Sequence, residues 1–183
     1  MSLLVKRALD RAALWHKGQL RKYPSVEVPY SSHIAGVAAI LSRHGFAEEV
    51  VAAGALHDTL EDCGISFGEV EALFGKRVAT LVRDVSEEDK ALRWEERKRR
   101  YIELFPTKSW EAQAISLADK IDNFESIVVC SAEFGDPWKM FRRGKVAQLE
   151  RFDALAAQLG GLAPHPILDE FREALERVRE VPA

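Results

Sequence analysis

His57 and Asp58 stand side by side near the end of the run from Val50 to Asp62, Val-Val-Ala-Ala-Gly-Ala-Leu-His-Asp-Thr-Leu-Glu-Asp, which is apolar as far as Leu56 and acidic beyond it. An apolar run of this kind predicts a buried helix, because side chains on nearly every face must pack against other elements. Four ionisable groups at the end of such a helix are costly to bury without a compensating charge, and a bound cation supplies one. At helical spacing Glu61 falls four residues after His57 and three after Asp58, while Asp62 falls four after Asp58, so all four side chains reach one pocket. For any one of them a polar helix end bonded to its neighbours is the simpler account. For the four together it is not.

Further donors stand in distant segments. His33 lies in the first turn of a second predicted helix, where the positive end of the helix dipole favours the neutral imidazole that a metal needs. Asp119 lies in a long later helix, and Asn123 one turn on faces the same way. His33, His57, Asp58 and Asp119 thus offer two imidazoles and two carboxylates. That mixture suits Mn, Fe, Zn or Mg, with the imidazoles arguing against an all-oxygen magnesium or calcium cage. A bound ion lowers the pKa of its water, and Glu61 or Asp62 could orient that water or take its proton. Arg21 and Lys22 form a cationic pair in a loop, and are a solvent-exposed pair unless the loop lies over the pocket. The run Arg97-Lys98-Arg99-Arg100 is most simply a solvated face, in which one or two residues could still bind phosphate.

The elements that must position these groups are all helical. Leu4, Ala8, Ala12 and Trp15 make one stripe of a helix from about Leu3 to Gly18, and two prolines in the stretch from Gln19 to Tyr30 predict a loop. Ser31 or Ser32 is the expected cap of the helix carrying Ile34, Val37, Ala38 and Leu41, closed by His44-Gly45. Ser66-Phe67-Gly68-Glu69 has the form of a capping box. A further helix carries Val78, Leu81, Val82 and Val85. The charge-dense stretch from Glu87 to Phe105 keeps a stripe of Trp94, Lys98, Tyr101 and Phe105. Beyond a cap at Ser109, Leu117, Ile121, Phe124 and Val128 mark the long helix. Asp136-Pro137 opens a helix expected to continue to Gly160-Gly161, and Ile167, Leu168, Phe171, Leu175 and Val178 line the last. No alternating β-branched run is present, so the expected fold is all-α.

Composition bounds the class. With 183 residues, 47% hydrophobic, 30% charged and a formal net charge of -3, the chain suits one globular domain with a sizeable core. A pI near 6.0 supplies no global attraction to nucleic acid. Cys63 and Cys130 form no paired ligand motif and suit a reducing compartment. With no signal-peptide core and no bilayer-length apolar stretch, the expectation is a cytoplasmic protein that binds neither membrane nor nucleic acid.

Taken together, Gln19-Leu20-Arg21-Lys22, Pro29-Tyr30-Ser31-Ser32-His33, Leu56-His57-Asp58-Thr59-Leu60-Glu61-Asp62 and Leu117-Ala118-Asp119-Lys120-Ile121-Asp122-Asn123 resemble the HD superfamily of metal-dependent phosphohydrolases. More narrowly, they resemble the hydrolase domain of Rel/SpoT alarmone enzymes, and the length is similar to that of the small stand-alone alarmone hydrolases. The resemblance implies a single HD-type helical bundle over 1–183, with its motifs within about 3–129 and C-terminal helices over 137–180. It implies Mn-dependent removal of the 3′-pyrophosphate from ppGpp or pppGpp, yielding GDP or GTP and pyrophosphate. Carried over by position, His33, His57, Asp58 and Asp119 hold the metal, and Glu61 with Asp62 activates water. Arg21 and Lys22 contact base and phosphates, Asn123 the ribose, and Lys98 a phosphate.

Small alarmone hydrolases commonly carry a substrate-facing tyrosine in the helix after the Asp-Lys-x-x-Asn motif, whereas this chain has no tyrosine after Tyr101. The loop from Tyr23 to Val28 differs in composition, and Cys63 stands where threonine is frequent. Two other functions fit the same donors. One is an HD phosphohydrolase acting on another nucleotide or phosphomonoester. The other is a metal-stabilised sensor module without turnover, which would have no use for Glu61 and Asp62. Oligomeric state is not readable from the chain.

Overall fold

The computed structural model describes residues 1–86 and 92–183, so the start of the charge-dense stretch at Glu87 lies outside the described residues. Among the described residues ten α-helices run in order: α1 Leu3–Trp15, α2 Ser31–Arg43, α3 Glu48–Leu56, α4 Thr59–Asp62, α5 Phe67–Phe74, α6 Lys76–Val85, α7 Trp94–Leu104, α8 Trp110–Val129, α9 Gly144–Ala156 and α10 Pro166–Glu180. Among the described residues there is no strand, only an isolated antiparallel bridge between Leu20 and Pro29.

The bundle is built around α8. Ser109 caps it by accepting from the Ala112 amide, and its Ala112, Ala114, Ile115, Leu117, Ala118, Ile121, Phe124 and Ile127 are buried. It packs against α10, α2, α3 and α6. Phe124 meets Phe152 and Phe171 edge-on, at ring-centroid distances of 4.7 and 5.3 Å, the geometry that aromatic quadrupoles favour. α3 is buried from Val50 through Leu56, as its uniformly apolar run requires. It lies against α1, α2 and α6. Gly54 makes the α2 contact possible, because a Cβ there would sit 2.3 Å from Leu41 Cδ1.

Capping follows the sequence at several ends. Ser66 and Glu69 form a reciprocal capping box on α5. Gly45, with φ +75°, follows the His44 cap of α2, a backbone region where glycine carries no Cβ penalty. Elsewhere the structure differs from expectation. Neither Ser31 nor Ser32 caps α2: Ser31 is already its first residue, and the Ser32 hydroxyl donates back to the Pro29 carbonyl. The expected continuous helix through Asp62 breaks after Leu56, because side chains there take the backbone carbonyls. His57 Nδ1 binds Gly54 O at 2.8 Å, and Thr59 Oγ1 donates to Leu56 O at 2.7 Å, local bonds that compete with the helical ladder. The helix expected from Asp136 to Gly160 is likewise interrupted. A 3₁₀ turn spans Pro137–Met140, Phe141 is extended, and α9 begins at Gly144 with φ +68°.

Candidate active site

The break after α3 sets His57 and Asp58 at the floor of a cavity of about 340 Å³. Two hydrogen bonds aim the imidazoles, one to the backbone and one to a carboxylate. His57 Nδ1 donates to the Gly54 carbonyl at 2.8 Å. His33, only 1% exposed, places Nδ1 2.5 Å from Asp122 Oδ2. Both partners are acceptors, so in the neutral rings both Nδ1 atoms carry the proton and both Nε2 atoms present lone pairs. Those Nε2 atoms face each other at 3.3 Å. Asp58 Oδ2 lies 2.9 Å from His57 Nε2, and Asp119 Oδ1 lies 3.4 Å from His33 Nε2.

Lone pairs converging from two imidazoles and two carboxylates repel one another unless a positive charge sits among them. His33, His57 and Asp58 can bring ligand atoms within 4.8 Å of one another, and the mixed nitrogen and oxygen set fits a divalent cation. The electrostatics agree. Burial works against the ionised form of Asp58, yet the adjacent His57 holds its carboxyl below the usual range. Desolvation works likewise against the charged Asp119, which is partly exposed, yet Lys120 and the two histidines hold it well below that range. Burial works against a charged His57 too, but the charge and hydrogen bond of Asp58 raise it to about 9. The pocket thus attracts positive charge, which a cation can supply in place of protons.

A second ring of contacts fixes the donors. Tyr30 donates its hydroxyl to Asp58 and stacks on His16, centroids 4.9 Å apart. Asn123 Nδ2 donates to Asp119 Oδ1 at 2.5 Å, and Lys120 pairs with the same carboxylate. Gln19 Nε2 donates to Asp62 Oδ2 at 2.9 Å, and Arg97 lies 3.9 Å from Glu61.

Of the ten residues singled out in the sequence, nine line the cavity: His57, Asp58, Glu61, Asp62, Asp119, Asn123, Arg21, Lys22 and Lys98. The tenth, His33, joins the cluster from within the core. The loop after α1 does lie over the pocket, closed on itself by Arg21 N to Val28 O and Tyr30 N to Gln19 O bonds of 2.8 and 2.9 Å. The Arg21 guanidinium, 9% exposed, meets Asp122 Oδ2 at 3.0 Å, Asn123 Oδ1 at 3.3 Å and Ser126 Oγ at 2.5 Å.

Asp122 was not singled out, although it carries both His33 and Arg21. Its signal is its place one turn after Asp119, in the polar run that interrupts the buried stripe of α8. Tyr30 and Gln19 fall inside recognisable segments, but nothing in their types announces their partners. The far wall, with Phe141 and Arg151, had no sequence signal.

Comparison with known proteins places these features in company. The sequence profile described as the HD domain matches residues 8–137. The chain is 45% identical over 123 residues to the guanosine-3′,5′-bis(diphosphate) 3′-pyrophosphohydrolase MESH1 of Drosophila melanogaster, covering 66% of this chain and 68% of that one. It is 41% identical over 128 residues to the human MESH1, covering 69% and 70%. A solved structure of a metazoan SpoT orthologue that hydrolyses ppGpp superposes with a TM-score of 0.84 at 33% identity, covering 100% of this chain and 98% of the other.

Proposed function

The chain belongs to the HD-domain phosphohydrolases related to MESH1 and to the SpoT/Rel hydrolase domains, and from that premise we propose that it removes the 3′-pyrophosphate of guanosine tetra- or pentaphosphate, with Mn²⁺ as its metal. In that reaction a water oxygen attacks the phosphorus next to the ribose, the bond from that phosphorus to O3′ breaks, and GDP or GTP leaves with pyrophosphate. The observation that carries the reading is the convergence of the His33 and His57 Nε2 atoms with the carboxylates of Asp58 and Asp119, at the floor of a cavity lined by Arg21, Lys22 and Lys98.

His33, His57, Asp58 and Asp119 would hold the metal. When bound, it would polarise the phosphoryl group and lower the pKa of an attached water. Glu61 and Asp62 stand on the cavity wall without serving as direct partners of the imidazoles, which suits them to orienting water and taking its proton. Gln19 holds one Asp62 oxygen, leaving the other carboxylate oxygen for that work. Arg21 and Lys22 supply positive charge and a planar guanidinium for phosphates and base, Lys98 supplies a further phosphate contact, and Asn123 is the ribose contact. Charge of this sign offsets the negative charge that accumulates on a phosphorylated nucleotide in the transition state.

The test is a purified-protein assay with ppGpp and Mn²⁺, resolving products by anion exchange. Equimolar GDP and pyrophosphate are expected. Orthophosphate as the released product, or turnover of simple phosphomonoesters with none of ppGpp, would favour the broader HD phosphohydrolase reading.

A further inference from the structure

Gln19 holds Asp62, and a buried side chain behind it holds Gln19. His16, at the C-terminal end of α1, is 4% exposed, and its Nδ1 lies 2.7 Å from Gln19 Oε1. Resting on the role proposed above for Asp62, we propose that His16 is a positioning residue for the hydrolytic step: its Nδ1–H holds the Gln19 amide in the orientation that keeps Nε2 on Asp62 Oδ2.

Chemistry fixes the direction of both bonds. A carboxylate accepts, so the end of the Gln19 amide that faces Asp62 is its NH2 group and the end that faces His16 is its carbonyl. A carbonyl also accepts, so His16 Nδ1 carries the donated proton. The relay therefore runs from imidazole N–H to amide oxygen at 2.7 Å, and from amide N–H to carboxylate at 2.9 Å, each bond polarising the next. The backbone brings the two side chains together. Gly18 turns the chain with φ +83°, a conformation that glycine adopts without a Cβ penalty, and the Gln19 backbone N–H returns to the His16 carbonyl at 2.9 Å. Gln19 is only half-buried, so without His16 its long side chain regains rotamer freedom by swinging away from Asp62.

Packing alone does not account for an imidazole here. The ring stacks on Tyr30 with centroids 4.9 Å apart, a contact that a phenyl ring would also make. Its Nε2 is buried with no hydrogen-bond partner among the described residues, and a buried polar atom left in that state costs free energy that a phenyl ring would not. What the imidazole supplies and a phenyl ring lacks is the Nδ1–H.

Variants of the full chain separate positioning from filling. His16→Phe keeps a stacked ring and removes the donor, His16→Asn places an N–H near the position of Nδ1 and removes the ring, and Gln19→Met removes the relay. With ppGpp and saturating Mn²⁺, His16→Phe is expected to lose about tenfold in kcat, the size of one hydrogen bond. KM and Mn²⁺ affinity should not change, because Asp62 is assigned to water and not to phosphate or metal. His16→Asn should recover most of kcat while melting at a lower temperature. The double variant His16→Phe/Gln19→Met should be no slower than Gln19→Met alone, since His16 acts through Gln19. Full kcat in His16→Phe with the loss in His16→Asn, or additive losses in the double variant, would overturn the assignment. Nitrogen NMR before Mn²⁺ is added reads the bond without turnover: a proton on His16 Nδ1 is expected, and one on Nε2 alone would overturn it. Should the wild-type protein not hydrolyse ppGpp, the proposed function fails, and this measurement still decides for or against the bond from His16 to Gln19, as it does if His16→Phe does not fold.

Discussion

Asp122 on α8 reaches across to His33 on α2, with Oδ2 2.5 Å from Nδ1, and this single contact decides which imidazole nitrogen faces the other donors, His57, Asp58 and Asp119. The same oxygen receives Arg21 from the loop above at 3.0 Å. One carboxylate therefore ties the floor of the site to its lid, and neither group it holds is adjacent to it in sequence.

Replacing Asp122 by Asn keeps the shape but offers the His33 N–H a weaker acceptor and gives Arg21 no charge partner. Metal affinity should fall about 10- to 100-fold, the usual cost of losing a carboxylate that orients a ligating histidine. Titration with Mn²⁺ followed by calorimetry measures it. Wild-type affinity in Asp122→Asn would mean that His33 is aimed by packing alone.

Gly36 tests the same relationship sterically. A Cβ at Gly36 would fall 1.8 Å from Asp122 Oδ1 and 2.8 Å from its Cγ, so Gly36→Ala must drive the carboxylate away from His33. Overpacking of this kind costs about 1–3 kcal/mol. A lower melting temperature together with weaker metal binding is the expected pair of results. A stability loss with unchanged metal binding would show that Asp122 moves without releasing the imidazole.

The fold was largely legible because its helices advertise themselves through apolar spacing and caps. The stripe of Ile167, Leu168, Phe171, Leu175 and Val178 is buried throughout α10, and Ser66 with Glu69 closes its box. The donors were legible because charged residues interrupt apolar helices at helical spacing. What stayed hidden depends on bonds that cross the bundle. The break at His57 comes from side chains taking the Gly54 and Leu56 carbonyls. The interruption at Phe141 turns on a backbone that no periodicity records. Asp122 gains its meaning only from elements distant in the chain.

Phe124 ties the scaffold to the site from within α8, three residues before Ile127 and one after Asn123. It is fully buried and packed edge-on by Phe152 and Phe171. Phe124→Ala should cost about 3–5 kcal/mol of unfolding free energy, the range for a buried aromatic truncated in a core. Denaturant titration at fixed metal concentration measures it, and a cost below about 1 kcal/mol would mean that α9 and α10 collapse onto the space.

Glu61 separates chemistry from binding. It lines the cavity within 3.9 Å of Arg97, while the imidazole nitrogens take their carboxylates from Asp58, Asp119 and Asp122. Glu61→Gln should retain metal and bind ppGpp while losing about 10²- to 10⁴-fold in kcat, the range for a lost acid-base group. By contrast Asp58→Asn removes a charge from the donor set, so metal binding and turnover should fall together. Equal metal loss in both variants would make Glu61 a ligand.

Arg21 carries the sharpest test of the substrate, because two duties are proposed for it. Its guanidinium is shared among Asp122, Asn123 and Ser126, which pins the loop to α8, and it also lines the cavity, where its plane can stack on a purine. If stacking is one of those duties, Arg21→Ala should cost about 2 kcal/mol or more in kcat/KM on ppGpp, combining cation–π attraction with a lost charge. The loss on a small phosphoester without a base should be much smaller. Arg21→Lys keeps a charge near Asp122 but loses the planar fork, so it should restore the loop anchor, read as a recovered melting temperature, without restoring ppGpp turnover. Equal losses on both substrates, repaired together by lysine, would confine Arg21 to holding the loop. Metal affinity must be measured alongside, because freeing Asp122 from Arg21 leaves it bound to His33 alone.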